Sequence, residues 1–174
     1  MRASSVRLLL VDCDGVLTDG RITLGGEGDE QKSFNVRDGH GLVLLHRAGL
    51  RSGIISGRTS SAVERRAREL GVTYLHQGSW NKIVEFEKVL AEAGLEASEV
   101  AYVGDDVVDI PLLLRCGLAV AVADATEETR EAAHYVTTLP GGHGAVREVA
   151  ELILKARGSW TELMKRYTQS VDEA

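Results

Sequence analysis

Val6-Arg7-Leu8-Leu9-Leu10-Val11, followed at once by Asp12-Cys13-Asp14-Gly15, is the stretch that sets the fold. Four successive aliphatic residues without polar alternation predict a strand covered on both faces, as in a parallel sheet. Asp12 ends the apolar run too early for a signal-peptide core or a membrane span. Downstream, Gly53-Ile54-Ile55, Val72-Thr73-Tyr74-Leu75, Val100-Ala101-Tyr102-Val103 and Leu118-Ala119-Val120-Ala121-Val122 repeat its character. Helical patterns lie between them. One begins at Ser61, with Glu64 placed for a capping box, and stops at Gly71. Another runs from about Asn81 to Ala93, a third follows Asp106, and a fourth covers Ala145 to Lys155. Strand-helix alternation of this kind predicts an α/β fold, a doubly wound, Rossmann-like parallel sheet with helices on both faces.

Residues 20–36 break the rhythm. Arg21-Ile22-Thr23-Leu24, a Gly-rich turn over 25–29, and Lys32-Ser33-Phe34-Asn35-Val36 predict a β-hairpin where such a fold usually places a helix. A lone hairpin is marginal in water, so it is expected to pack on the core or on another subunit. Residues 1–158 are expected to form one domain, and 159–174 a polar C-terminal tail. The whole chain has 174 residues, of which 44% are hydrophobic and 26% charged, so disordered, collagen-like and coiled-coil classes are excluded. Aromatics are only 5%, which leaves the core to Val, Leu, Ile and Ala. The net charge of -6 argues against nucleic acid as a partner. Cys13 and Cys116 form no disulfide framework or metal-ligand spacing, pointing to a reduced, cytoplasmic setting. The five histidines share no ligand spacing either.

Ligands of open α/β sheets bind beyond the carboxyl ends of the strands. The first strand delivers Asp12, Cys13, Asp14 and Gly15 to that edge; the second delivers Ser56, Gly57 and Arg58. Lys82 stands at a helix start, and Gly104-Asp105-Asp106 precedes Asp109 by one turn. Carboxylates gathered in this way repel one another unless a cation joins them, and Mg²⁺ suits a few carboxylates, waters and a substrate phosphate. Ser56 and Lys82 are donors suited to phosphoryl oxygens. A metal, a carboxylate nucleophile, a second carboxyl to move protons and two donors make a site for phosphoryl transfer. Of the later acids, Asp105 is favoured as the direct ligand over Asp106, which is also placed to cap the following helix, and Asp109 is expected behind them. The residues alone leave open whether Asp106 or Asp109 also touches the metal.

Asp12-Cys13-Asp14-Gly15-Val16-Leu17-Thr18-Asp19-Gly20, Ile55-Ser56-Gly57-Arg58, Lys82 and Gly104-Asp105-Asp106-Val107-Val108-Asp109 resemble the four ordered motifs of haloacid-dehalogenase superfamily phosphatases. The likeness extends over Phe34 to Gly39, His76-Gln77-Gly78, Ala119 to Ala125 and Gly141 to Glu148, nearly the whole chain from 6 to 155. It implies that Asp12 attacks phosphorus to form an aspartyl phosphate, and that Asp14 protonates the leaving oxygen and then deprotonates water. It implies Mg²⁺ held by Asp12, the main-chain carbonyl of Asp14 and Asp105, with Ser56 and Lys82 on the phosphoryl group. The members most similar lack a separate cap domain, associate as homotetramers and use hairpins such as 20–36 to close a neighbour's site. They hold an acidic sugar through the residues matching Asn35, Val36, Arg37, Asp38, Gly39, Arg58 and Arg66. The implied substrate is 3-deoxy-D-manno-octulosonate 8-phosphate, a sugar acid of lipopolysaccharide biosynthesis, with a nine-carbon ulosonic acid 9-phosphate as the alternative. Two positions depart from the pattern: Val43 and His143 stand where arginine is usual.

Two other classes compete. A receiver-type signalling domain also combines carboxylates, Mg²⁺, a hydroxyl and a lysine, but its acidic pair is adjacent and its lysine comes last. A catalytically silent assembly module of the same fold has no need of Asp12, Asp14, Ser56, Lys82 and Asp105 together.

Overall fold

The structure is a computed structural model that describes residues 2–25 and 30–168. Its strands, in chain order, are β1 (Leu8–Val11), β2 (Thr23–Leu24), β3 (Glu30–Gln31), β4 (Arg51–Ile55), β5 (Tyr74–His76), β6 (Val100–Gly104), β7 (Leu118–Ala121) and β8 (Tyr135–Val136). The helices are α1 (Val36–Arg47), α2 (Ser61–Leu70), α3 (Lys82–Ala93), α4 (Ile110–Leu113), α5 (Glu127–Glu131), α6 (Ala145–Ala156) and α7 (Trp160–Thr168). Six strands form one sheet in the order β5-β4-β1-β6-β7-β8, and every pairing in it is parallel. The doubly wound reading holds.

All four residues of β1 are buried, as its unbroken aliphatic run requires. Leu9 and Val11 face a core shared with α1, α2 and α6, whereas Leu8 and Leu10 face one built with Phe86 and Val89 of α3 and Leu112 and Leu113 of α4. The chain steps outward from β1 to β4 and β5, then returns to β6 on the other side of β1. That reversal places the switch point of the topology at the end of β1. Val11 pairs with Ile54 and with Val103, so Asp12, Ser56 and Asp105 leave the sheet at nearly one level.

Several local expectations are corrected. The hairpin is shorter than 20–36: β2 and β3 pair through Thr23–Gln31 and Leu24–Glu30 only, and residues 26–29 of the expected turn lie outside the described residues. Val36 is not the end of a strand but the first residue of α1, capped by the Asn35 side chain, which accepts from the Arg37 N–H at 2.8 Å. Gly39 and Gly41 weaken the helical pattern of α1. They are there for close approach: a Cβ on Gly41 would lie 3.0 Å from the Arg147 Cα of α6. The Ser61–Glu64 capping box does not form. Ser60 is the cap residue, and the Gln77 side chain accepts from its N–H at 3.0 Å instead. Gly71 and Gly94 end α2 and α3 in the left-handed conformation, as expected. The segment after Gly158 continues as α7, whose Trp160, Leu163 and Met164 pack against the core; residues 169–174 lie outside the described residues. Among the described residues no helix is long and apolar enough to cross a membrane.

Candidate active site

A buried lysine organises the floor of the site. Lys82 opens α3 and is almost wholly enclosed; its Nζ lies 3.0 Å from Asp12 Oδ1 and 2.7 Å from Asp109 Oδ1. Asp109 also accepts from the Tyr102 hydroxyl at 2.7 Å and, through Oδ2, from the N–H groups of Asp105 at 3.0 Å and Asp106 at 3.4 Å. Both of its oxygens are thus taken up inside the protein. Asp106 turns outward and caps the next turn, accepting from the Val107 N–H at 2.7 Å. The lysine is held charged because the two carboxylates beside it outweigh the burial that opposes its charge.

Burial and carboxylate crowding act on the two acids that remain. Asp12 is pushed up to about 6, first by burial and then by Asp109, with Lys82 pulling the other way. Asp105 is pushed up to about 8 by burial and then by Asp12 and Asp109. Asp12, Asp105 and Asp109 each bring an oxygen to within 4.8 Å of the others. Asp109 is already satisfied, whereas Asp105 Oδ1 is buried without a hydrogen-bond partner. A Cβ on Gly15, whose φ is +88°, would lie 2.0 Å from Asp105 Oδ2, so only glycine leaves this space open. An orphaned carboxylate oxygen, a second acid beside it and oxygen donors throughout fit a hard divalent cation such as magnesium.

Asp12, Asp14, Ser56, Arg58, Lys82 and Asp105 all line one cleft of about 180 Å³, together with Gly57, Ser79, Trp80, Asp106 and Val108. Ser56 is buried at the cleft, and its Oγ accepts from the Arg58 N–H at 3.3 Å. The hairpin leans over this edge. Lys32, with a side chain only 1% exposed, bonds Asp14 Oδ1 and lies 3.0 Å from Glu30 Oε1. Arg58 completes the ring, with Nη2 3.3 Å from Glu30 Oε2 and Nε 3.8 Å from Asp14 Oδ2. Glu30 and Lys32 were missed in the sequence. Their i, i+2 spacing in a β-prone run places both side chains on one face, a signal that was there to be used.

The other expected sugar-binding residues do not line this cleft within one chain. Arg66 lies over Gly39, pairs with Glu69 at 3.4 Å and borders an adjacent hollow shared with Lys32, Phe34 and Val36. Val36 is 76% exposed. Arg37 faces a third hollow with His143 and Arg147. Asn35 donates to Gly142 O at 3.3 Å. Asp38 is 1% exposed and accepts from the N–H groups of Gly144 at 3.1 Å and Arg147 at 2.9 Å, so it caps α6. The histidines serve local bonds, such as His76 to Glu85 at 2.7 Å and His46 to Ser52 at 2.7 Å. Both cysteines are free and buried, and burial raises their thiols, Cys116 to about 11.

Residues 71–148 match the haloacid dehalogenase-like hydrolases, the class expected of this sheet and its acid-lined edge. Over 156 residues, 90% of this chain and 83% of its relative, the chain is 47% identical to the 3-deoxy-D-manno-octulosonate 8-phosphate phosphatase of Yersinia pestis. It is 46% identical over 161 residues to the enzyme of that name from Escherichia coli strain K12, covering 92% and 86%. The Moraxella catarrhalis phosphatase of the same name, crystallised with magnesium, phosphate and the sugar acid, superposes with a TM-score of 0.93 at 40% identity over 95% of each chain. The chain belongs to the 3-deoxy-D-manno-octulosonate 8-phosphate phosphatase family of the haloacid dehalogenase-like hydrolases.

Proposed function

We propose that this chain hydrolyses 3-deoxy-D-manno-octulosonate 8-phosphate to the free sugar acid and inorganic phosphate. The observation that carries the reading is the Asp12 carboxylate, held at the sheet edge by Lys82 and facing a cleft that Asp14 and Ser56 also line. Asp12 attacks phosphorus, and the bond to the sugar C8 oxygen breaks as Asp14 gives that oxygen a proton. Asp14 then takes a proton from water, which attacks the aspartyl phosphate and releases phosphate. Lys82 and Ser56 hold the phosphoryl oxygens, Lys82 as a point charge. Asp12, Asp105 and the main-chain carbonyl of Asp14 would hold magnesium, which neutralises charge between carboxylate and phosphate.

Arg58 offers the substrate carboxylate a two-pronged grip. We assign Asn35, Val36, Arg37 and Arg66 to sugar binding across a homotetramer, in which the hairpin reaches a neighbour's site as well as covering its own. Asp38, which caps α6, and Gly39, buried beneath Arg66, serve by holding this segment in place. Ile22, Leu24 and Val36 support this, being exposed apolar side chains on or next to the hairpin. We read residues 1–158 as the phosphatase unit. The two unpaired thiols support a cytoplasmic setting.

The test is phosphate release from 3-deoxy-D-manno-octulosonate 8-phosphate and from a nine-carbon ulosonic acid 9-phosphate, with and without Mg²⁺. Faster turnover of the first, lost on chelation, is the expected result; turnover of neither refutes the reading. Asp12→Asn is expected to lower kcat by at least about a thousandfold, with the mass of the assembly unchanged by light scattering.

A further inference from the structure

We propose that Trp80 is the wall of the cleft on which the carbon chain of the substrate packs, and so a determinant of which phosphate esters are accepted. The inference rests on the sugar acid phosphatase reading above and adds a residue to it.

Trp80 lines the cleft with Ser56, Lys82 and Arg58, yet it is 86% exposed. Among the described residues its indole has no hydrogen bond and no ring contact. The other large aromatics differ: Phe86 and Tyr102 are fully buried, and Trp160 lies under the cations of Arg147 and Lys155. A free indole face is unfavourable in water and is the surface a ligand can cover to advantage.

Its position is set by its neighbours. The Gly78 N–H donates to Arg58 O at 3.4 Å and the Ser79 N–H to Ser56 O at 3.4 Å, which ties the loop before α3 to the loop after β4. Ser79 Oγ donates to Asn81 O at 3.3 Å. Trp80 Cε3 lies 4.0 Å from the point where a Cβ on Gly57 would stand, so the ring lies beside the Ser56–Arg58 turn. Only Asn81 separates Trp80 from Lys82, about 7 Å of chain at most. A phosphate on Lys82 and Ser56 therefore brings the carbons next to it within reach of the indole.

The chemistry of the cleft leaves this task to few groups. Its deep residues, Asp12, Ser56 and Lys82, are buried and polar, which suits the phosphoryl end. Arg58 suits a carboxylate. Between the two, a sugar acid presents C–H groups polarised by neighbouring oxygens, and these are attracted to the negative face of an aromatic ring. Among the described residues, Trp80 and the half-exposed Val108 are the apolar side chains that line the cleft.

The test uses the full chain with Mg²⁺ and the Trp80→Ala and Trp80→Phe variants. Trp80→Ala is expected to raise KM for 3-deoxy-D-manno-octulosonate 8-phosphate about tenfold, equal to about 1.4 kcal/mol. Its kcat and the inhibition constant of inorganic phosphate should stay within about twofold, and Trp80→Phe should recover most of the KM. In a Trp160→Phe background, Trp80 is the remaining tryptophan, and free 3-deoxy-D-manno-octulosonate should shift its emission to the blue. An unchanged KM overturns the assignment, as does a parallel rise in the phosphate inhibition constant, which would mark damage to the anion site. A lower assembly mass in Trp80→Ala also overturns it, by making the ring an interface between copies, and so does an emission that ignores the sugar acid. No turnover by the unaltered chain overturns the phosphatase reading and this one together.

Discussion

The floor of the cleft and the hairpin above it are held by different forces. Asp12, Asp105 and the loop bearing Ser56 continue from β1, β6 and β4, whose register is locked by parallel ladders on both sides of β1. Their side chains converge because the strands do. Among the described residues the hairpin has a ladder of two residue pairs, and it exposes Ile22 and Leu24. It is fastened through Lys32 to Asp14 and through Glu30 to Arg58, groups that belong to the site. The sheet imposes geometry on the floor, whereas the hairpin takes its place from the charges it covers.

This contrast is testable, beginning with its largest consequence. Lys82→Met should strand Asp12 and Asp109 as like charges in a buried space and cost about 3–5 kcal/mol of folding stability in urea titrations. A loss below that of a hairpin variant would break the comparison. The floor should also be the pH-sensitive region. Asp12 and Asp105 both titrate above their ordinary value of 3.8, so the metal-free folded chain keeps protons that the unfolded chain has lost. The contribution of these groups to stability therefore falls as pH rises from about 4 through 6 to 8. Magnesium needs the deprotonated acids, so its apparent affinity should strengthen toward tenfold per pH unit between about 6 and 8 and level off above. A Mg²⁺ affinity flat over that window, read by calorimetry, would contradict the site. The smallest effect belongs to the hairpin. Lys32→Ala should cost about 1.5–3 kcal/mol, the range for a hydrogen bond to a charged group. Amide exchange in β2 and β3, at Thr23, Leu24, Glu30 and Gln31, should accelerate while that of β1 does not change.

The same division decided what could be read from residues alone. The sheet and its acids were legible because β1 is aliphatic throughout and its polar edge begins abruptly at Asp12. Helix α1 was not, because Gly39 and Gly41 erase the helical pattern for the sake of contact with Arg66 and α6. The cap of α2 was misassigned because Gln77, sixteen residues beyond Ser61, supplies the bond that Glu64 seemed placed to make. The i, i+2 pair of Glu30 and Lys32 carried a spacing signal but no hint of the Asp14 and Arg58 side chains it meets in space. Trp80 belongs to no spacing rule, and among the described residues it has no hydrogen bond or ring contact to betray it. The spacing of Trp160, Leu163 and Met164 was a helical signal in a segment whose composition looked polar.

The turn before α6 has a consequence for how the molecule is made. A Cβ on Gly141 would lie 1.7 Å from Gly15 O, and one on Gly142 would lie 2.5 Å from the Asp19 amide nitrogen. The Gly142 N–H donates to Val16 O at 2.9 Å. The nucleophile loop is thus pinned by glycines encoded more than 120 positions later, so a nascent chain has every acid of the floor outside the ribosome well before the brace that steadies the first of them. Contacts this remote in sequence form late, and newly made protein should gain catalytic competence only after Gly141 and Gly142 have emerged and docked.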